Sequence, residues 1–168
     1  MISIVTPTGD RPEAFALLER WIAAQDYGGE YEWVVVDDGR TPTRTTMGQV
    51  VLAQEPMTGH SLIRNLTVAL DAAQSDVIVF CEDDDYYAPG YLSAVHEHLQ
   101  DHVCCGEAPA RYYHVGKRLW RELPSVKHAS LCATAVRGKA HQLFCDLLRR
   151  ISVPMIDVWF WAHVRNRQ

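Results

Sequence analysis

Val77-Ile78-Val79-Phe80-Cys81-Glu82-Asp83-Asp84-Asp85 sets an unbroken apolar run directly before four consecutive carboxylates. A run without polar alternation reads as a strand covered on both faces, and the acidic residues stand at its end. Four adjacent carboxylates repel one another and cost stability unless a cation sits among them. Hard oxygen ligands suit Mg²⁺ or Mn²⁺, and Mg²⁺ characteristically shares its coordination with substrate phosphates. A solvated acidic turn is the plainer reading. Position after a buried strand, with Tyr86-Tyr87 and Pro89 following, favours the cation.

Upstream of that segment, strand and helix patterns alternate. Ile2 to Val5 is a short apolar run ended by Thr6-Pro7-Thr8-Gly9, a strand and a tight loop. Asp10 is placed to cap a helix with Pro12 in its first turn, and Phe15, Leu18 and Ile22 recur at helical spacing until Tyr27-Gly28-Gly29. Glu32 to Val36 forms a second buried strand, stopping at Asp37-Asp38-Gly39, and Val50 to Ala53 a third. Gly59 turns the chain and Ser61 caps a helix whose apolar side runs from Leu62 to Ala73. This order implies a mostly parallel sheet with helices on both faces, in which ligands sit beyond the carboxyl ends of the strands. Thr6, Asp37, Asp38 and the run from Glu82 all fall at those ends.

The second half reads as a helix from Pro89 to Gln100, a strand at Val103 to Cys105, and a small antiparallel hairpin of Ala110–Val115 and Arg118–Leu123. A strand over His128–Val136 and helices at Lys139–Arg149 and Met155–Val164 complete it. Without a repeat or linker, residues 1–168 read as one α/β domain.

In order along the chain, Ser3-Ile4-Val5-Thr6-Pro7-Thr8, Val35-Val36-Asp37-Asp38-Gly39, Arg64-Asn65 and Val79–Asp85 through Pro89 to Tyr91-Leu92 resemble family 2 glycosyltransferases of the GT-A fold. The likeness is strong over residues 2–92 and looser to 161. It implies a nucleotide-binding half at 1–92 and an acceptor-side half at 93–168. Thr6 and Asp38 would contact the nucleobase, with Asp37 supporting their loop, and Arg64 would reach a phosphate or an acidic partner. Asp83 would bind ribose. Asp84, the last member of the DxD motif, would hold the metal with help from Asp85, and Glu82 stands where the family has Asp. Asp157, at the start of the last helix, resembles the family's catalytic base, although Ile156 replaces the usual acidic residue before it. His163 corresponds to a further metal ligand in some relatives; a surface histidine is the plainer reading, as it is for His96, His98 and His102.

The activity so implied is inverting transfer of a sugar from a nucleotide-sugar donor, a UDP-sugar, to an acceptor hydroxyl, with Mn²⁺ or Mg²⁺. Two rivals stand beside it: a nucleotidyltransferase making nucleotide sugars, whose glycine-rich basic loop Thr8-Gly9-Asp10-Arg11 replaces poorly, and a non-catalytic nucleotide- or sugar-binding relative. The acceptor is open among a small molecule, a glycan, a protein side chain and a hydroxylated nucleobase. Trp120, Trp159, Trp161, Tyr112 and Tyr113 gather on that side, expected to divide evenly between ring contacts and core.

Bulk properties agree. Hydrophobic residues are 48% and charged residues 22% of the 168, an ordinary globular balance. A formal charge of -5 exerts no general pull toward nucleic acid or anionic membrane. No apolar stretch is long enough to span a bilayer and no secretory signal pattern opens the chain. Five cysteines without CxxC spacing read as reduced, mostly buried thiols of a cytoplasmic protein. Homo-oligomerisation, completing a short acceptor side, fits the same reading.

Overall fold

The apolar runs at Ile2, Trp33 and Ile78 lie side by side at the centre of a six-stranded sheet. The computed structural model describes residues 1–57, 60–124, 127–151, 153 and 155–166; the expected turn at Gly59 and the residue Pro154 before the last helix lie outside the described residues. Strands β1 (Ile2–Thr8), β2 (Tyr31–Asp37), β3 (Val50–Ala53) and β4 (Ile78–Phe80) are parallel. Strand β5 (Cys104–Gly106), the hairpin strands β6 (Ala110–His114) and β7 (Leu119–Leu123), and β8 (Thr134–Val136) follow. The sheet order is β3-β2-β1-β4-β8-β5, with β8 antiparallel to both neighbours. The fold is therefore α/β with a mostly parallel central sheet and the expected small hairpin.

Alternating side chains supply two cores. Val34 and Val36 of β2 face one side, with Val5, Ile78 and Phe80, under helices α2 (Leu62–Ala72), α4 (Lys139–Arg150) and α5 (Ile156–Arg165). Trp33 and Val35 face the other, with Ile2, Ile4 and Val79, under α1 (Pro12–Ala23) and α3 (Tyr91–Asp101). Period-two alternation within a continuously apolar strand thus fills both layers. Phe144 of α4 packs between Phe80 and Phe160 with tilted rings, at centroid distances of 4.5 and 5.4 Å. These rings connect the strand before the acidic run to the helix that carries Asp157.

Three local expectations change. Asp10 does not cap α1: its φ is +53° and its Oδ1 accepts from the amides of Arg40 (2.9 Å) and Thr41 (3.3 Å), so a tertiary contact with the loop after β2 replaces the local cap. Ser61 flanks α2 without a side-chain cap. The strand expected over His128–Val136 is reduced to β8, because Leu131–Ala133 curls into a 3₁₀ turn. The Ser130 carbonyl accepts from the Ala133 amide at 3.1 Å and from the Thr134 hydroxyl at 2.8 Å, which holds the curl. All five cysteines are free thiols, as expected, but only Cys81 is buried and the others are half-buried. Among the described residues no helix is long and apolar enough to cross a membrane.

Candidate active site

The site begins where β1 and β2 end. Both oxygens of buried Asp37 are consumed by its own loop, accepting from Gly39 N at 2.8 Å and Thr43 N at 2.6 Å. The Asp38 amide donates to the Thr8 carbonyl at 3.1 Å and laces the two loops together. The glycines there permit the approach: a Cβ on Gly39 would fall 2.5 Å from the Asp10 nitrogen, and one on Gly9 2.3 Å from Asp38 Oδ1. The Asp38 carboxylate is left at the surface of the cleft, 3.2 Å from Arg64 Nη2. Arg64 is positioned from α2 by two further bonds, to Asn65 Oδ1 at 3.1 Å and the Glu55 carbonyl at 2.9 Å.

After β4 the chain makes one more sheet-like bond, from Cys81 N to the Val5 carbonyl at 2.9 Å, and enters the acidic loop. Tyr87 braces that loop: its hydroxyl accepts from Glu82 N at 2.9 Å and donates to the Cys132 carbonyl at 3.1 Å. Asp83 is fully buried, with Oδ2 accepting from the Thr8 hydroxyl at 2.7 Å. Its Oδ1 forms an ion pair with Arg11 Nη1 at 3.1 Å, too poorly aligned for a hydrogen bond, and accepts no hydrogen bond. The same Arg11 nitrogen donates to exposed Asp84 at 2.8 Å.

The electrostatics follow from this crowding. Burial pushes the Glu82 carboxyl from 4.5 to about 7, reinforced by the charges of Asp85, Asp84, Asp157 and Asp83. Burial also raises Asp83, against the pull of Thr8 and Arg11, and raises Asp85, against a hydrogen bond from the Cys132 thiol. One carboxylate oxygen each from Glu82 and Asp85 and the sulfur of Cys132 all lie within 4.8 Å of one another. Two hard oxygens at that spacing fit a divalent cation.

Asp157 sits half-buried in the first turn of α5, and its charge is felt at Glu82. The fold thus brings Asp38, Arg64, Asp83, Asp84, Asp85 and Asp157 to one end of the sheet, with Asp37 beneath them as a loop support. Thr6 is not among them as a side chain: it is fully buried and its hydroxyl accepts from the Trp33 indole at 3.0 Å. His163 Nδ1 lies 2.8 Å from the Trp159 carbonyl one turn back, outside the group formed by Glu82, Asp85 and Cys132. His96, His98 and His102 are exposed. Of the five aromatics expected to divide evenly, Trp161 alone is half-buried, donating to Thr134 Oγ1 at 3.1 Å, while Tyr112, Tyr113, Trp120 and Trp159 are exposed.

A cleft of about 240 Å³ runs between Thr8, Gly9, Arg11, Asp38, Asn65 and Glu82. A separate cavity of about 610 Å³ is lined by Gly39, Arg40, Gln54 and Glu55 at the ends of β2 and β3. Thr8, Arg11 and Cys132 are the residues that sequence reasoning missed. The two-residue step from Thr6 puts Thr8 on the same strand face without saying which of them reaches the cleft; Cys132 carried no local signal.

The family model described as Glycosyl transferase family 2 matches residues 3–146. The chain belongs to glycosyl transferase family 2. A curated relative, Escherichia coli (strain K12) WcaA, named for glycosyl transfer in colanic acid biosynthesis, is 28% identical over 127 residues, covering 64% of this chain and 44% of that protein. Two solved structures share the GT-A fold of this family 2 chain. S. aureus TarS 1-349 in complex with UDP-GlcNAc superposes with a TM-score of 0.64 at 19% identity, over 95% of this chain and 52% of that one. The mannosyltransferase PcManGT from Pyrobaculum calidifontis, in complex with GDP-Man and Mn²⁺, gives 0.63 at 16% identity, over 95% and 50%. The chain spans about half the length of the relatives it matches.

Proposed function

We propose that this family 2 chain is a metal-dependent, inverting glycosyltransferase that moves a sugar from a nucleotide-sugar donor, a UDP-sugar, to an acceptor hydroxyl. The observation that carries the reading is the approach of two acidic elements distant along the chain: Asp157 on α5 lies within electrostatic reach of the mid-chain Glu82–Asp85 loop, and Glu82 lines the same cleft as Asp38, which pairs with Arg64.

In this reading Asp38 and Arg64 receive the nucleobase end of the donor, on a loop that Asp37 holds by two amide bonds. Asp83, kept in place by Thr8, takes the ribose. Asp85 and Glu82, whose oxygens approach each other, hold the divalent cation together with the neighbouring Asp84. When bound, the cation supplies Lewis-acid neutralisation of the charge that grows on the departing diphosphate. Arg11, which bridges Asp83 and Asp84, is the cationic side chain placed to accompany the phosphates. Asp157 accepts the proton of the acceptor hydroxyl. The acceptor oxygen forms its bond to the anomeric carbon on the face opposite the diphosphate, the bond to the diphosphate oxygen breaks, and the nucleoside diphosphate leaves with configuration inverted. Alignment within one cleft supplies a large part of the rate, by making the encounter intramolecular.

A thermal-shift screen of UDP-GlcNAc, other UDP-sugars and GDP-Man, with and without Mn²⁺, tests donor and metal together. Stabilisation by a nucleotide sugar that disappears on chelation is the expected result. Asp157→Asn should then lower nucleoside diphosphate release by about 10²–10⁴-fold while the donor-induced shift persists. Equal turnover in that variant removes Asp157 from the mechanism.

A further inference from the structure

Cys132 reaches the acidic loop from a separate part of the chain. It lies in the 3₁₀ turn before β8, and the Tyr87 hydroxyl ties that turn to the loop by bonding the Cys132 carbonyl and the Glu82 amide together. The brace leaves Cys132 Sγ and one oxygen each of Glu82 and Asp85 mutually within 4.8 Å. A small inward adjustment of these side chains would bring the three atoms to the bond lengths of about 2.0–2.3 Å at which they share one ion. In the same loop, Asp83 Oδ1 is buried, accepts no hydrogen bond and has only the Arg11 guanidinium, at 3.1 Å, as counter-charge.

We propose that Cys132 is a sulfur ligand of the divalent cation, joining Glu82 and Asp85, and that it biases the site toward a borderline ion such as Co²⁺ or Zn²⁺ over Mg²⁺. The inference rests on the divalent-cation part of the function proposed above. Carboxylates alone accept hard cations such as Mg²⁺ and Mn²⁺, whereas thiolate sulfur favours softer ones. On binding, the S–H bond breaks, the sulfur–metal bond forms, and the proton leaves to solvent. A thiol-to-carboxylate hydrogen bond with Asp85 could hold the trio together with no ion, so the test must separate the two arrangements.

The full chain, kept reduced, is titrated with Co²⁺ in the absence of nucleotide. A near-ultraviolet thiolate-to-cobalt charge-transfer band should saturate at one ion per chain. Cys132→Ser should lose the band and bind Co²⁺ at least about tenfold more weakly, with Mg²⁺ affinity in calorimetry little changed. Should Cys132→Ser fail to fold, mass-mapped alkylation of the wild-type protein decides: Co²⁺ must shield Cys132 and leave the labelling of Cys104 and Cys145 unchanged. Co²⁺ binding without the band, or alkylation of Cys132 unaffected by saturating Co²⁺, overturns the sulfur ligand while leaving the glycosyltransferase reading intact. Failure of every divalent ion to bind, with or without donor, overturns both.

Discussion

Thr6 and Thr8 stand two residues apart on β1, on one face of the strand, yet one belongs to the core and the other to the cleft. The difference is depth. Thr6 lies under the loops and satisfies the Trp33 indole, whereas Thr8, at the strand end, donates to the buried carboxylate of Asp83. Removing one partner of a buried hydrogen bond leaves the other desolvated and unpaired, at a cost of about 1–3 kcal/mol. Thr6→Val should therefore lower stability by that amount in urea unfolding and leave nucleotide-sugar affinity unchanged. A loss of donor affinity at full stability would return Thr6 to the nucleobase contact suggested by resemblance. Arg11 belongs at this scale too: one guanidinium nitrogen, serving Asp83 and Asp84 at 3.1 and 2.8 Å, is the nearest positive charge to the acidic loop that the described contacts contain.

At the scale of elements, the cleft depends on how closely the loops after β1 and β2 approach. Both have glycine at the contact, and the Asp10 carboxylate, turned outward by its positive φ, binds the amides after Gly39. Gly39→Ala would drive a methyl group to within 2.5 Å of the Asp10 nitrogen and 3.0 Å of Asp37 Oδ1. Backbone must move to relieve that contact, and overpacking of this kind costs about 1–3 kcal/mol. Lower thermal stability together with weaker donor binding is expected. Gly28→Ala, where nothing lies within 4 Å of the new carbon, serves as the control and should match the wild type in both. The packed Phe80, Phe144 and Phe160 rings have a related role, joining the strand before the acidic loop to the Asp157 helix in one buried cluster.

For the whole molecule, the concentration of negative charge at one end of the sheet sets a pH dependence. Burial and then neighbouring carboxylates hold Glu82 at about 7, against 4.5 for an ordinary glutamate. A carboxyl raised on folding stabilises the protein in its protonated form, so the contribution is complete below about pH 4.5 and is lost as pH rises through about 7. In chelated buffer, the melting temperature of the wild type relative to Glu82→Gln should fall across that interval. Saturating Mn²⁺ should shrink the fall by stabilising the ionised loop. A difference that stays flat with pH, measured by thermal melts of both proteins, would contradict the assigned environment of Glu82. As for legibility, the continuous apolar runs at Val34–Val36 and Ile78–Phe80, and the helical spacing of Phe15, Leu18 and Ile22, determined the layered α/β sheet by themselves. Burial on two faces leaves a periodic trace in any sequence. The order of acidic residues after those strands likewise placed Asp38, Asp83 and Asp84 at the carboxyl edge. Only the tertiary structure decided that Asp10 serves a loop instead of a helix, that Thr8 and not Thr6 reaches the cleft, and that Cys132 stands beside Glu82 and Asp85. Those contacts join positions distant along the chain, and no local period or propensity records which distant partner a side chain will meet.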